Sequence, residues 1–346
     1  MTQTRIIEQP ARTPLPRKPW NRHLIAIAIL SVVAIPVPLL LPPSQQAIAV
    51  RILILALMSI GWNVMSGFGG LFSFGHAAYF GLGAYTSAWL LVEKGLSPWI
   101  GMAAGVVVAA SFAVILGFLS LRYRLKGAYF ALATFAFAEM LRLLATNSDL
   151  VNRAEGYHIP LRAEESWWWM QFTPTSPNYF WIALALTVAA LAITVLFLRS
   201  RTGQFALAAR DDSDAADALG IPVMRYQLVT MALSGALTSV AGAFYVQYYL
   251  FIDPDLAFGS AVSIQAILPA VIGGVGTVWG PLVGAAILGP LSEATATLLR
   301  NPPAFLSFLE GRGGLDVIIY GLLLIIIILL LPQGIYTAIR QRWFRS

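Results

Sequence analysis

Long apolar segments separated by short polar gaps run along almost the whole chain. A helix that crosses the hydrocarbon core of a bilayer needs roughly 20 mostly apolar residues, and several segments reach that length. The pattern therefore predicts an all-α, polytopic transmembrane helical bundle with about 8–10 spanning helices. The predicted spans are Leu24–Leu41, Ala47–Ser66, Leu71–Val92, Pro98–Leu121, Gly127–Thr146, Tyr179–Leu198, Tyr226–Leu250, Ser260–Val275, Val278–Leu299 and Leu315–Leu331.

Composition agrees with a membrane protein. Hydrophobic residues make up 58% of the 346 residues and charged residues only 11%, with a mean hydropathy of +0.75. A soluble domain could not keep so much apolar surface away from water. Cysteine is absent, which excludes disulfides, thiolate metal sites and cysteine nucleophiles. We expect one membrane domain, residues 24–336, between basic tails at 1–23 and 337–346.

Positive charge is concentrated in alternate gaps. The two tails and the gaps at 122–126 and 199–225 hold 15 of the 22 lysine and arginine residues. Because cytoplasmic loops of membrane proteins are enriched in these residues, both termini and the 199–225 loop are predicted to be cytoplasmic. The 147–178 loop then lies on the periplasmic side, where Trp167–Trp169 suit the headgroup region as anchors.

The first span has two interpretations. Five basic residues precede it, and Ala47-Ile48-Ala49 weakly resembles a signal-peptidase site. The apolar run is longer than the hydrophobic region of a typical signal peptide, which favours an uncleaved anchor helix.

Two glycine-rich clusters, 67–75 and 273–280, lie at the third span and between the eighth and ninth. Glycine lowers helix stability by roughly 1 kcal/mol per residue relative to alanine, so broken or re-entrant segments are predicted. The likeness of the two clusters fits either a degenerate internal repeat or chance similarity. The glycines expected to provide backbone flexibility or close packing are Gly69, Gly70, Gly75, Gly273, Gly274, Gly276 and Gly280.

Polar side chains within the spans are few, and their cost in lipid makes them candidates for function. Broken helices beside the first cluster would offer backbone N–H groups to an anionic carboxylate. The alternative is that these side chains satisfy one another inside the bundle. Glu139 and Arg142 share a helix face, which favours a structural ion pair near the outer end. The candidate pathway residues are Ser73, His76, Tyr79, Tyr85 and Thr134.

The sequence lacks enzymatic signatures. No Gly-Lys dipeptide occurs, which excludes a Walker A loop, and the three histidines fit no zinc motif. The spans hold few acidic residues, mainly Glu139 and Glu293, which argues against proton or sodium coupling. We therefore expect a membrane protein that is not an enzyme, with no catalytic residues, no metal and no cofactor.

The gap at 199–225 contains a predicted short helix. Asp214 is expected to cap its N-terminus with Asp217 as a capping-box-like partner, and Gly220 followed by Pro222 ends it. Because its small apolar side chains expose little bulk, the helix either docks into a groove on another protein or is a plain surface linker. The candidate coupling residues are Asp214, Ala215, Ala216, Asp217, Ala218, Leu219 and Gly220.

The segment Asp214–Gly220 resembles the Glu-Ala-Ala loop by which ABC importer permeases contact their ATPases, with aspartate in place of glutamate. The match extends from near Ala47 to Tyr336, whereas Leu150–Gly156 departs from the family pattern and leaves the cargo open. The blocks that are similar to permeases of the high-affinity branched-chain amino-acid ABC importer family are Phe72–Tyr85, Gly127–Glu139, Gly203–Leu228 and Val271–Pro281.

This resemblance implies a permease subunit in the bacterial inner membrane that has no ATP site of its own. The implied partners are a homologous second permease, two cytoplasmic ATP-binding subunits and a periplasmic substrate-binding protein, with surrounding lipid and no nucleic acid. The implied cargo is a branched-chain or other neutral amino acid. Urea, short amides or carboxylates are the alternatives within the superfamily, and a self-sufficient secondary transporter or channel is the alternative from another class.

Overall fold

Apolar helices form nearly all of the secondary structure in the computed structural model, which describes residues 20–162, 164–173, 176–300, 321 and 334–338. Most of both tails and nearly all of the predicted tenth span lie outside these residues. The helices are α1 (Trp20–Ala34), α2 (Val37–Leu40), α3 (Pro43–Asn63), α4 (His76–Lys94), α5 (Pro98–Arg122), α6 (Ala128–Asn147), α7 (Asn178–Arg199), α8 (Arg201–Asp211), α9 (Ser213–Ala218), α10 (Val223–Tyr249), α11 (Pro254–Phe258), α12 (Ser260–Gly273) and α13 (Gly280–Arg300).

Seven helical stretches in the described part of the chain are long and apolar enough to cross a membrane. Helices α4 and α13, of 19 and 21 residues, are not among these seven. The predicted class, a polytopic helical bundle, is confirmed. The seven stretches are Asn21–Leu40, Pro43–Phe68, Pro98–Arg122, Ala128–Asn147, Asn178–Arg199, Val223–Tyr249 and Pro254–Gly273.

Two predicted spans are not continuous helices. The first is divided at Pro36 between α1 and α2, because proline has no backbone N–H and crowds the preceding turn. The third begins at His76 rather than Leu71, after a π-helical turn (Val64–Phe68) and a non-helical segment at 69–75. The eighth is not interrupted: α12 begins at Ser260 as predicted and ends at Gly273, and the short helix α11 precedes it. The prediction that glycine-rich segments break the helices is confirmed.

Helices α4, α5 and α10 form the centre of the bundle, and glycine lets their backbones approach closely. A Cβ at Gly83 of α4 would lie 2.1 Å from the carbonyl oxygen of Ser239, and one at Gly242 of α10 would lie 2.0 Å from that of Phe80. Such small residues permit van der Waals packing where lipid removes the hydrophobic drive between helices. Helices α3, α12 and α13 cover one side of this centre, with α7 and α1 beyond α3.

The connections between helices divide into two sets. The turn at 123–127, helices α8 and α9 and the start of α10 surround one groove. We call this the basic end, because these gaps are rich in positive charge. At the opposite end, β1 (Tyr157–His158) pairs with β2 (Phe251–Ile252) and ties loop 147–178 to the connection between α10 and α11. That the basic end is cytoplasmic stays a prediction.

Local hydrogen bonds hold loop 147–178 in shape. The Glu165 carboxylate accepts from the Thr173 backbone N–H at 2.8 Å, and this bond lowers the pKa of Glu165. Burial raises the pKa of the Tyr157 phenol, which donates to the Leu150 carbonyl. Trp167 and Trp168 are 53% and 58% exposed, and their role as membrane anchors stays a prediction.

Candidate coupling and translocation site

The short helix α9 protrudes at the basic end with well-formed caps at both ends. The Asp212 carboxylate accepts from the backbone N–H groups of Asp214 and Ala215, each at 3.0 Å. At the other end Gly220 is left-handed (φ +79°), and the N–H groups of Gly220 and Ile221 reach back to the last turn. This paired closure is a Schellman motif, so a six-residue helix is fixed in shape.

Two details of the predicted helix are wrong. Its N-cap is Asp212 and not Asp214, because the chain is extended at Asp212 and enters the helix at Ser213. The side chain of Ala216 is only 4% exposed, since it faces the body of the permease, whereas Leu219 is 82% exposed. Ala216 therefore anchors α9 and cannot belong to a docking surface. The residues of the segment that remain exposed are Asp214, Ala215, Asp217, Ala218, Leu219 and Gly220.

A groove of about 730 Å³ lies beside α9. It is lined by the turn between α5 and α6, the end of α8, the start of α10 and the glycines at 69–70. Lys126 pairs with Asp214 across it at 3.6 Å, but both side chains are largely exposed, so this ion pair contributes little to stability. The groove brings the first glycine cluster and α9 to the same end of the molecule.

The predicted pathway residues Ser73 and His76 form a hydrogen-bonded network that is wholly buried. His76 Nδ1 lies 3.2 Å from Ser73 Oγ, and its Nε2 lies 2.9 Å from Ser234 Oγ on α10. The Ser234 hydroxyl donates to the Gly61 carbonyl at 2.7 Å, and Ser73 Oγ accepts from the Gly75 N–H at 3.1 Å. Neither Ser73 nor His76 is exposed. The alternative interpretation, mutual satisfaction inside the bundle, describes this network.

The other three predicted pathway residues are buried as well. Thr134 Oγ1 accepts from the Phe74 N–H at 3.2 Å and donates to the Ala131 carbonyl, which fastens the broken segment to α6. The hydroxyls of Tyr79 and Tyr85 have no hydrogen-bond partner among the described residues. Thus four of the five are fully buried, and Tyr85, which is 5% exposed, borders a cavity of about 420 Å³ together with Trp89 and Phe258.

The segment 70–75 instead exposes different residues. Its side chains alternate, as in an extended strand, so that Gly70, Phe72 and Phe74 face outwards while Leu71 and Ser73 face inwards. Phe72 and Phe74 are 41% and 40% exposed, and their rings meet edge to face at 5.2 Å. We call these two rings the phenylalanine pair.

A group of charged side chains lies further along α6. Arg142 lies eight residues beyond Thr134 on α6, a distance of about 12 Å along the helix. Its guanidinium donates to Glu139 and, at 2.7 Å, to Asp255 of α11. The pair predicted from the sequence is therefore a trio, and Asp255 is 79% exposed. Because such charges are costly against lipid, this side of α6 favours water or protein as its neighbour.

The two glycine clusters meet at the basic end. The Asn63 amide accepts from the Gly276 N–H at 2.8 Å and donates to the Thr277 carbonyl at 2.9 Å. A Cβ at Gly67 would lie 2.6 Å from the Gly276 nitrogen. The same crowding holds at most of the predicted glycines: a Cβ would fall within 3 Å of another atom at Gly69, Gly70, Gly75, Gly273 and Gly280.

Three residues that contact the predicted site residues were not predicted from the sequence. Ser234 completes the histidine network, Asp255 completes the charged trio, and Arg210 contacts the first glycine cluster. A signal for Ser234 was available, since Thr230, Ser234 and Thr238 recur at every fourth position of α10 and so share one helix face. Asp255 and Arg210 gave no such signal, because their partners are distant in sequence.

These features define a polytopic membrane permease: a helical bundle with a broken interior segment and an exposed helix at its basic end. Among the described residues no cluster of His, Asp or Glu could hold a metal ion. Residues 45–328 match the model of the family described as branched-chain amino acid transport system, permease component. The chain belongs to this family.

The sequence identity of this chain to individual relatives is modest. The chain is 27% identical to the high-affinity branched-chain amino acid transport system permease protein LivM of Escherichia coli, over 78% of this chain and 67% of the relative. It is 28% identical to LivH of Salmonella typhimurium, over 81% and 90%. It is also 27% identical to the L-arabinose ABC transporter permease protein AraH of Azospirillum brasilense, over 65% and 64%.

Proposed function

We propose that this chain is the permease subunit of an ATP-driven importer that moves branched-chain or other neutral amino acids across the bacterial inner membrane. The observation that carries the proposal is α9, a rigidly capped helix that presents Ala215, Ala218 and Leu219 to solvent at the basic end. A plain linker would need neither cap. Membership of the permease family supports the same function, as does the branched-chain amino acid transport for which LivM and LivH are named.

Cargo and partners follow from the same proposal. The phenylalanine pair offers an apolar surface suited to the side chain of such an amino acid. A homologous second permease would cover the exposed side of α6, two ATPases would bind at the basic end, and a periplasmic binding protein would dock at the opposite end. The sugar named for AraH leaves cargo the least constrained part of the proposal.

Docking of an ATPase on α9 can be tested by adding bulk and charge. We expect Ala215→Arg or Ala218→Arg to lower the amount of ATPase that co-purifies at least tenfold, since both positions are exposed on the proposed contact. Ala154→Arg, an equally exposed change in loop 147–178, is the control. Undiminished co-purification in both α9 variants would reduce α9 to a linker.

The position of the pathway can be tested at the phenylalanine pair. We expect Phe72→Ala together with Phe74→Ala to lower uptake into proteoliposomes severalfold while the binding protein keeps its affinity for substrate, because capture precedes transfer. Folding should survive, since both rings are partly exposed. Phe118→Ala is the matched control, as Phe118 is 46% exposed on α5. Equal uptake by the double variant and the control would remove the pair from the pathway.

A further inference from the structure

Arg210 lies where α9 joins the body of the permease. It is in the last turn of α8, two residues before Asp212, the N-cap of α9. Its Nε and Nη2 donate to the neighbouring Asp211 carboxylate at 2.9 and 2.5 Å, which holds the guanidinium in one orientation. Its Nη1 then donates to the Gly67 carbonyl at 3.1 Å, across 143 positions of sequence.

Gly67 lies in the π-helical turn that precedes the broken segment. Carbonyl groups in the last turn of a helix have no partner within the helix, and a cation at that end is favoured by the helix dipole. The bond from Arg210 satisfies one such carbonyl with a charged donor, which is stronger than a neutral hydrogen bond. The contact therefore ties α8 to the beginning of segment 69–75.

The aliphatic part of the Arg210 side chain packs on the same segment. A Cβ at Gly70 would lie 2.7 Å from Arg210 Cγ, and Gly70 has φ +72°. Glycine is thus required there both by space and by backbone conformation. Phe72, the first ring of the phenylalanine pair, follows two residues later in the extended chain.

The second glycine cluster reaches the same side chain. A Cβ at Gly276 would lie 3.5 Å from Arg210 Nη1, and Asn63 clamps the backbone of Gly276 and Thr277 to the end of α3. Arg210 consequently joins α9's attachment point to the first glycine cluster and lies beside the second. Only 32% of its side chain is exposed.

We propose that Arg210 transmits the displacement of α9 to the two glycine clusters, and through Gly70 to the phenylalanine pair. This inference rests on the proposed function, because the displacement would come from an ATPase bound to α9. A guanidinium fixed to Asp211 moves with α8 and α9 as one unit, while glycine-rich backbone yields more readily than a regular helix. Arg210 is a positioning residue, and it touches neither ATP nor cargo.

The test uses the assembled importer with Arg210→Met, which keeps the aliphatic packing and removes the donors. We expect the ATPase to co-purify as in the wild type, because α9 is unchanged, while uptake per hydrolysed ATP falls at least tenfold. Arg210→Lys should restore part of the coupling, since an ammonium can still donate to the Gly67 carbonyl. Arg201→Met, an exposed change at the first residue of α8, is the control.

A second readout separates transmission from simple capping of the π-helical turn. In the cysteine-free chain, the maleimide labelling rate of a Phe72→Cys variant should differ between nucleotide-free and vanadate-trapped importer, and Arg210→Met should abolish this difference. Normal coupling and an unchanged labelling difference in Arg210→Met would overturn the inference. Loss of co-purification would also overturn it, because Arg210 would then belong to the docking surface. Failure of wild-type protein to co-purify the ATPase would overturn the proposed function instead.

Discussion

Gly242→Ala should prevent most of the protein from reaching a stable fold. The added methyl group would lie 2.0 Å from the Phe80 carbonyl oxygen and 3.1 Å from the Ala84 nitrogen, and both are backbone atoms of α4. These backbone atoms cannot rotate out of the way as the end of a side chain can, so α4 and α10 must move apart where they are in contact. Overpacking of this kind costs about 3 kcal/mol. The measurement is the yield of monodisperse protein in detergent and its apparent melting temperature.

Gly117→Ala in α5 is the matched control for Gly242→Ala. Its methyl group would meet Met231 Sδ at 2.6 Å and Leu228 Cδ2 at 2.9 Å, which are the ends of flexible side chains. Both variants gain the same helix propensity, about 1 kcal/mol, so the difference between them isolates the backbone contact. Equal melting temperatures for the two variants would show that α4 and α10 do not pack as described.

His76→Leu should destabilise the fold and leave transport by the folded fraction nearly normal. Leucine removes one partner each from the buried hydroxyls of Ser73 and Ser234, and stranding a buried polar group costs about 1–3 kcal/mol. Each hydroxyl keeps a second hydrogen bond, which limits the loss. The measurements are apparent melting temperature and uptake normalised to the amount of folded transporter.

The control for His76→Leu is the same substitution at His158, an exposed residue of β1. A surface change of this kind is usually within about 0.5 kcal/mol of neutral. If His76→Leu instead kept the wild-type melting temperature and lost uptake, the buried network would have to open onto the pathway during transport, as the sequence first suggested.

Hydrophobic runs were enough to predict the class of the fold, because lipid imposes a minimum length on every span. The glycine clusters predicted the interruptions for the same physical reason: glycine weakens helices. The first residue of α4 was misplaced, because Leu71 and Phe72 are apolar in either conformation. Contacts of segment 69–75 with residues distant in sequence, among them Thr134 and Trp62, favour the extended form.

The direction of side chains was the part that sequence could not supply. Ser73 was chosen for its polarity, yet alternation along an extended segment turns it inwards and turns Phe72 and Phe74 outwards. Ala216 was chosen for its small size, yet in α9 it is the residue that faces the body. In both segments backbone conformation decides which side chains are accessible, and a part for either segment in transport stays a prediction.

The crowded glycines have a consequence for how this permease can diverge. Gly75, Gly83 and Gly242 face backbone atoms at about 2 Å from a hypothetical Cβ, so a change at any of them needs a compensating movement of a whole helix. Phe72 and Phe74 are bounded on one side by open space. Mutational drift can therefore remodel the surface that cargo would meet while the glycine framework stays fixed. Under the proposed function, a change of cargo would need only single substitutions at this surface, whereas a change of architecture would need coupled ones.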